Sequence, residues 1–343
     1  MQVIQDALRS LDLPYGCVAT IGNYDGIHRG QRAVIDRIVE RARERGVQAV
    51  VITFSPHPVT VLRPGEAPPL LTLDLQREAL LEAAGVDVVA IVRFSAEFAR
   101  TAPRTFVREL LVDKLAVEEI FVGSDFSFGR DRAGDVELLE AMGKELGFVV
   151  AGVDEETWRG EVISATRIRR AVAEGRVADA MEMLGRPYSL YGTVVRGDRM
   201  GARLGWPTIN LAPQNEHLPA SGVYCGRVHF RSLPGNFDCV TNIGRRPTVY
   251  ENYQQVVESH ILGFSADVYG ETVEVEFYKR LREEKLFPSV MDLSAQIGRD
   301  VEATRDYFAT RRRLQAVAAD AADPSSAGPA HAESDEDDEL PLM

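Results

Sequence analysis

Short apolar runs rich in Val and Ile recur through the first half of the chain, separated by stretches with helical spacing. Cys17–Ile21, "VQAVVITF" from Val47, "VDVVAIVRF" from Val86, "VEEIFVG" from Val117 and "FVVAGV" from Phe148 have the length and residue types of buried parallel strands. Between them, "LDLQREALLEAAG" and "DVELLEAMGKELG" read as helices. After Cys17–Ile21, residues Val34, Ile35, Ile38 and Val39 fall on one helical face. This order predicts a parallel α/β sheet with helices on both faces, over residues 1–185.

From about Arg186 the pattern changes. "YSLYGTVVRG", "GVYCGRVHF", "FDCVTNIG", "QVVESHIL" and "ETVEVEFYK" are strand-like and separated by Gly, Pro and Asn, which predicts an antiparallel barrel or sandwich over 186–315. A closing helix carries Leu293, Ile297, Val301 and Phe308 as an apolar stripe, with Arg311 to Arg313 suited to its negative C-terminal end. Residues 316–343 are rich in Ala, Pro, Ser and acids and are expected to be a disordered, solubilising tail.

Charge and cysteine content narrow the function classes. The 343 residues carry a formal −13, but eight acids and no Lys or Arg lie between Asp320 and Met343, leaving −5 for the rest. Such a chain lacks the clustered Lys and Arg that phosphate backbones require, so nucleic acid is not an expected partner. No signal-peptide pattern and no bilayer-length apolar run is present, so no membrane partner is expected either. Cys17, Cys225 and Cys239 are far apart and form no C-x-x-C pair, which points to a reducing cytoplasm and away from structural zinc. The expected partners are small molecules, and nothing points beyond a weak homo-oligomer.

The unusual residues of the first half fall where parallel strands end, the usual place for ligands in such sheets. In "GNYDGIHRGQ", Gly22, Gly26 and Gly30 let backbone N–H groups crowd an anion beside His28. G-x-G-x-x-G and G-K-[ST] are both absent, which excludes the dinucleotide fingerprint and the P-loop. An imidazole near a helix start can donate to phosphate oxygens that gain charge during attack. Taken singly, His28 reads as a turn cap and "SPHP", with His57 and Pro58, as a loop end. "ISATRIRRAVAEG" adds Ser164, Thr166, Arg167 and Arg169 at another helix start. Three loops suited to phosphate in one domain favour a nucleotide site.

In the second half, "RGDRMGARLGWPTINL" places Thr208 and Asn210 two residues apart on an extended segment, so both oxygens face one side. Hard oxygen donors suit a magnesium ion that keeps waters and substrate phosphates. The plainer alternative is a hairpin loop with Thr and Asn as turn formers. Glu258, a carboxylate within the apolar "VVESHIL", could orient or deprotonate a hydroxyl beside such a site.

"GNYDGIHRGQ", "SPHP", "VGSDFSFG" and "ISATRIR" resemble, in order, the N-terminal module of bacterial bifunctional riboflavin kinase/FMN adenylyltransferases, a Rossmann-like nucleotidylyltransferase with an H-x-G-H signature. "RLGWPTINL", "GVYCGRV", "TNIGRRPT", "VESHILGFSADVYG" and "LREEKLF" resemble the riboflavin kinase module of the same family, a small six-stranded barrel. The resemblance implies two reactions, phosphorylation of riboflavin by ATP and adenylylation of FMN with release of pyrophosphate, both supported by magnesium.

By that resemblance, Gly22, Asn23, Asp25, Gly26 and His28 line one ATP site, with Gly30, His57, Pro58, Ser164, Thr166, Arg167 and Arg169 beside it. Asp125 and Phe126 help shape the adenine and flavin side. Gln31 stands where the signature has its second histidine, a catalytic position, and Ala165 replaces a serine. In the kinase module, Thr208 and Asn210 contact magnesium and phosphates, and Glu258 is the base on the ribityl hydroxyl. Gly197, Gly201 and Pro207 belong to the ATP loop, and Tyr224, Arg282 and Phe287 flank the nucleotide and flavin. Met200 stands where the family loop is expected to carry a basic residue, with Arg199 and Arg203 nearby. Two alternatives stay open at this stage: a riboflavin kinase with a weakened or inactive adenylyltransferase domain, and a flavin and nucleotide sensor without turnover.

Overall fold

The computed structural model describes residues 1–197, 200–247 and 253–322. The first half forms β1 (Gln2–Ile4), β2 (Cys17–Ile21), β3 (Gln48–Ser55), β4 (Val88–Arg93), β5 (Val117–Gly123) and β6 (Val149–Val153). They make one sheet in the order β1-β4-β3-β2-β5-β6, with every neighbouring pair parallel. Five helices connect them: α1 (Arg29–Arg45), α2 (Pro58–Leu62), α3 (Asp74–Ala83), α4 (Pro103–Phe106, continuing as a π-helical stretch to Lys114) and α5 (Val136–Leu146).

The apolar runs are continuous because both faces of the sheet are covered. Val18, Val51 and Val89 turn to one face, under Ile35, Ile38 and Ala42 of α1 and Leu81 of α3. Ala19, Val50 and Ala90 turn to the other, under Leu110, Leu111, Leu139 and Met142. That is the period-2 alternation of a strand, with no polar face left to show. From β2 the chain winds outward through β3 and β4, then crosses back to place β5 on the other side of β2. The loop after β2 therefore lies at the topological switch point.

A small hairpin, β7 (Thr157–Trp158) and β8 (Glu161–Val162), leads to α6 (Ala165–Ala173) and α7 (Val177–Leu184). The second half is β9 (Tyr188–Val195), α8 (Met200–Arg203), β10 (Ile209–Pro213), β11 (Gly222–Phe230), β12 (Asn236–Pro247), β13 (Tyr253–Ile261), β14 (Thr272–Arg282) and α9 (Val290–Ala322). Its six strands close in the order β10-β13-β12-β11-β14-β9, which decides the sequence alternative in favour of a barrel. The first barrel strand begins at Tyr188, but the packing boundary falls earlier. Ile168, Val172, Val177 and Met183 of α6 and α7 share one core with Leu190, Tyr224, Val257 and Phe277 of the barrel.

The stripe of α9 docks on the outside of the barrel, Val301 and Ile297 against Val223 and Val240, and Phe308 against Cys225 and Tyr278. Two expectations about this end need correction. The helix continues to Ala322, so residues 316–322 belong to it and not to the tail; "LQAVAADAA" is rich in strong helix formers, and the first breaker is Pro324. Arg311 to Arg313 are thus mid-helix, where Arg311 lies over the Tyr278 ring and Arg312 pairs with Asp238 at 2.9 Å. The rest of the predicted tail, 323–343, lies outside the described residues.

All three cysteines are free and buried, and burial pushes the Cys17 and Cys239 thiols up to about 12. One buried ion pair fixes the N-terminal half of α9: Arg282 at the end of β14 forks onto Asp300, with Nε and Nη2 2.8–3.1 Å from the carboxylate. Removing one partner of such a pair strands the other charge out of water. Asp300→Ala should therefore lower the unfolding free energy by about 3 kcal/mol, measured by urea denaturation.

Candidate active sites

Two places in the molecule gather the expected residues. The first spans the carboxyl ends of β3, β2 and β5, which are neighbours in the sheet. Here β2 delivers the loop of Gly22 to His28, β3 delivers His57, and β5 delivers Asp125 and Phe126.

His28 is the N-cap of α1 and is 9% exposed. Its Nδ1 accepts from the Gln31 N–H at 3.3 Å, while the Gln31 Oε1 accepts from the His28 N–H at 3.2 Å. This reciprocal capping box is what Gln31 does locally. Because Nδ1 accepts, the neutral ring carries its proton on Nε2. Burial lowers the His28 pKa to about 4, partly offset by the Asp25 charge and reinforced by Arg186. His57 repeats the device as N-cap of α2, with Nδ1 accepting from the Val59 N–H at 3.3 Å, and burial lowers its pKa too. Both rings are therefore neutral donors near pH 7. The first turn of α1 holds no acid, so its backbone donors and positive dipole end are unopposed from within the helix.

Several expected ligand residues also serve the architecture. The Asp25 carboxylate accepts from the Leu71 and Thr72 N–H groups at 2.9–3.2 Å and pairs with Arg169 Nη2 at 2.6 Å. Arg167 donates to the carbonyls of Trp158 and Glu161 at 2.9 and 2.8 Å, bracing the hairpin before α6. Ser164 caps α6 by accepting from the Arg167 N–H. Asn23 and Thr166 are exposed, and Pro58 opens α2. Phe126 stacks on Phe128 at 5.4 Å, at the end of a chain of rings through Phe106, Phe98, Phe54 and Phe94. Sequence reasoning missed this aromatic edge; its only signal was a recurrence of Phe where strands end.

The second place lies at the rim of the barrel. Antiparallel register sets Asn210 of β10 opposite Glu258 of β13, and Glu258 opposite Asn242 of β12. Residues directly opposite share a face, so an amide–carboxylate–amide row crosses three strands. Thr208, just before β10, lines two adjoining cavities. One, of about 480 Å³, is walled by Ser259, Phe264, Ser265, Asp267 and Tyr269. The other, of about 580 Å³, holds Glu258, Asn242, Trp206, Arg282, Phe287 and the exposed Met200.

Gly197 and Gly201 are required by close approach. A Cβ on Gly197 would lie 2.4 Å from the Asn210 amide, and one on Gly201 2.4 Å from the Trp206 carbonyl. The Pro207 carbonyl meets His260 Nδ1 at 2.8 Å. Arg203 is exposed, and Arg199 lies outside the described residues. Arg282 reaches the larger cavity with its guanidinium already committed to Asp300 and stacked over Phe287 at 5.6 Å. Tyr224 is a correction. It is fully buried, its hydroxyl donates to the Ala220 carbonyl, and its ring packs edge-on against Phe277, so it has no face for a flavin. Asn242, by contrast, went unnoticed within "TNIG", since only the strand register brings it to Glu258.

A glycine-rich, histidine-capped loop at the switch point of a parallel sheet, joined to a barrel with a hydroxyl, amide and carboxylate set, has the form of a two-domain transferase. Residues 11–167 match the FAD synthetase family and residues 184–308 the riboflavin kinase family. The bifunctional riboflavin kinase/FMN adenylyltransferase of Escherichia coli K12 is 39% identical over 85% of this chain and 93% of its own. That of Haemophilus influenzae is 35% identical over 90% and 99%. The chain belongs to the bifunctional riboflavin kinase/FMN adenylyltransferase family. A crystal structure of a macrolide-efflux protein from Streptococcus pneumoniae superposes with a TM-score of 0.82 at 29% identity, covering 89% of this chain and 99% of that one. Among the described residues of the present chain, no helix is long and apolar enough to cross a membrane.

The buried neutral His28 carries a stability signature. Its folded pKa, about 4, lies below the ordinary 6.5, so below pH 6.5 the unfolded chain gains a proton that the native ring refuses. Stability is full above about pH 6.5 and falls as pH drops to 4, by up to about 3 kcal/mol. His28→Gln should flatten that part of a plot of melting temperature against pH.

Proposed function

We propose how the two domains divide the work: riboflavin is phosphorylated to FMN at the barrel rim, and FMN is adenylylated to FAD at the carboxyl edge of the parallel sheet. The observation that carries the kinase assignment is Thr208 on the wall of both cavities, with Glu258 on the wall of one. The smaller cavity, with its serines and Asp267, suits a nucleotide, and the larger, lined by Trp206, Phe287, Leu293 and Ile297, suits a three-ring flavin. Phosphoryl donor and acceptor hydroxyl then meet beside Thr208 and Asn210. Glu258, held between Asn210 and Asn242, takes the proton from the ribityl hydroxyl as it attacks.

Magnesium fits this donor set. The Thr208 hydroxyl and Asn210 amide oxygen are hard ligands, and no cluster of three or more His, Cys, Asp or Glu able to hold a metal occurs among the described residues. An ion held by few protein ligands, waters and substrate phosphates needs no larger cage, and it would supply charge neutralisation of the triphosphate. At the other site, the Nε2–H of His28, the second ring of His57 and the α1 N-terminus are donors for oxygens that gain charge when the FMN phosphate attacks the α-phosphorus. Phe126 and its neighbouring rings offer the flavin an apolar edge. The inactive-domain and sensor alternatives are not favoured, because both halves match their catalytic families over most of each domain. The buried free cysteines suit the reducing cytoplasm.

Two variants test the division, each read by chromatographic separation of riboflavin, FMN and FAD. Glu258→Gln keeps shape but removes the base, so FMN formation should fall by about 100-fold or more while adenylylation of added FMN persists. Unchanged phosphorylation would remove Glu258 from the mechanism. Gln31→His can keep an acceptor in the capping box and add a donor able to carry charge, and charged donors bond about twice as strongly as neutral ones. It should raise the turnover of FMN adenylylation and leave riboflavin phosphorylation as it was. No gain would show that the neutral His28 and the helix end suffice.

A further inference from the structure

The turn that presents His28 is strained. Gly26 has φ +91°, and Ile27, a β-branched residue, follows at φ +41°, a region that Cβ-branched side chains rarely occupy. The two carbonyls of this turn, buried beside the phosphate loop, both need a donor. A single side chain supplies it: Arg186 Nη2 donates to the Gly26 carbonyl at 2.6 Å and Nη1 to the Ile27 carbonyl at 3.0 Å. Arg186 is not part of the parallel-sheet domain. It follows Gly185, the left-handed C-cap of α7, stands two residues before β9, and falls within the kinase-family match, outside the FAD synthetase match.

We propose that Arg186 is a positioning residue for adenylylation: the kinase half of the chain holds the strained Gly26–Ile27 turn in the geometry that aims His28 at the phosphates. The planar fork holds the two successive carbonyls from two separate nitrogens in a fixed plane, whereas a lysine ammonium would have to serve both from one nitrogen on a flexible stem. The guanidinium lines a junction cavity of about 360 Å³ together with Gln76, Ser189 and Glu274; burial lowers its pKa, and the field of Glu274 partly offsets this. Glu274 accepts from the Ser189 hydroxyl at 2.5 Å and the Gln76 amide at 3.3 Å, so two strands of the barrel and a helix of the sheet domain are joined across the cavity that Arg186 lines. The same cation lies close enough to His28 to disfavour protonation of the ring. Adenylylation in this chain consequently depends on a residue that its own domain does not contain.

This rests on the reading of the His28 loop as the ATP phosphate site, and the experiment separates the two. Full-length Arg186→Gln, Arg186→Lys and His28→Ala proteins are compared with the natural chain. Riboflavin phosphorylation and FMN adenylylation are assayed separately across ATP concentrations. Arg186→Gln should lower the turnover of adenylylation by about 100-fold with a smaller change in the KM for ATP. Arg186→Lys should lose about tenfold, one donor group replacing two. Phosphorylation should be unchanged in both, which also reports that the barrel is folded. If His28→Ala abolishes adenylylation while Arg186→Gln leaves it intact, the loop reading stands and the role of Arg186 falls. If His28→Ala leaves adenylylation intact, the loop reading falls and takes this inference with it. Equal loss of both activities in Arg186→Gln would make Arg186 a general determinant of folding and would also overturn it.

Discussion

The burial of one carboxylate governs much of this structure. Asp25 is 4% exposed, and a charge removed from water must find compensation within the protein or be neutralised. It finds two backbone N–H groups at Leu71 and Thr72, the Thr72 hydroxyl, and Arg169 of α6. Three segments far apart in sequence are thereby pinned at one point: the loop from Gly22 to His28, the approach to α3, and the helix that packs on the barrel. Arg169 extends the joint, its Nε donating to the Pro69 carbonyl and its own carbonyl meeting His217 Nε2 at 2.9 Å. The charges serve specificity of assembly more than net stability, since a buried pair recovers in Coulomb energy roughly what it loses in hydration.

The two sites solve related problems with different secondary structure. At the sheet edge, backbone donors come from helix starts, and the side chains there are neutral imidazoles whose tautomer is set by a backbone N–H. At the barrel rim, the oxygens come from strands, and their mutual placement is set by register across β10, β13 and β12. A one-residue slip in either ladder would turn Asn210 or Asn242 to the other face. The glycines at 197 and 201 protect the same geometry from another side, since any side chain there would strike Asn210 or the segment before Thr208.

Much of the fold was legible in the sequence because it is written in periods of two and 3.6. Cys17–Ile21 and Gly222–Phe230 could be bounded to the residue, since turn formers close them on both sides. The closing helix was cut short, because acidic composition was given more weight than alanine propensity before Pro324. The motifs were legible in the sequence, whereas the structural contacts of their residues were not. Asp25, Arg169 and Arg282 look like ligands in a linear motif, yet each spends its charge on another residue, and pairing between residues 144 apart has no signature in one sequence. Tyr224 sits in a strand of mostly buried residues, where an inward hydroxyl with a nearby carbonyl cannot be told from a rim position. Gln31 was legible as a departure from H-x-G-H, but its place in the capping box needed coordinates.

The three buried thiols give the molecule an internal record of its own opening. Cys17 lies in the central strand β2 of the sheet, whereas Cys225 and Cys239 lie on neighbouring barrel strands, and burial makes each thiolate scarce in the native state. A thiol-directed label can thus modify these side chains only when the surrounding domain unfolds. Mass spectrometry of peptides from the labelled protein would time the two domains separately within one sample, without a single engineered probe. The joint at Arg186 and Asp25 then acquires a kinetic meaning, visible as the difference between the labelling half-times of residue 17 and of residues 225 and 239.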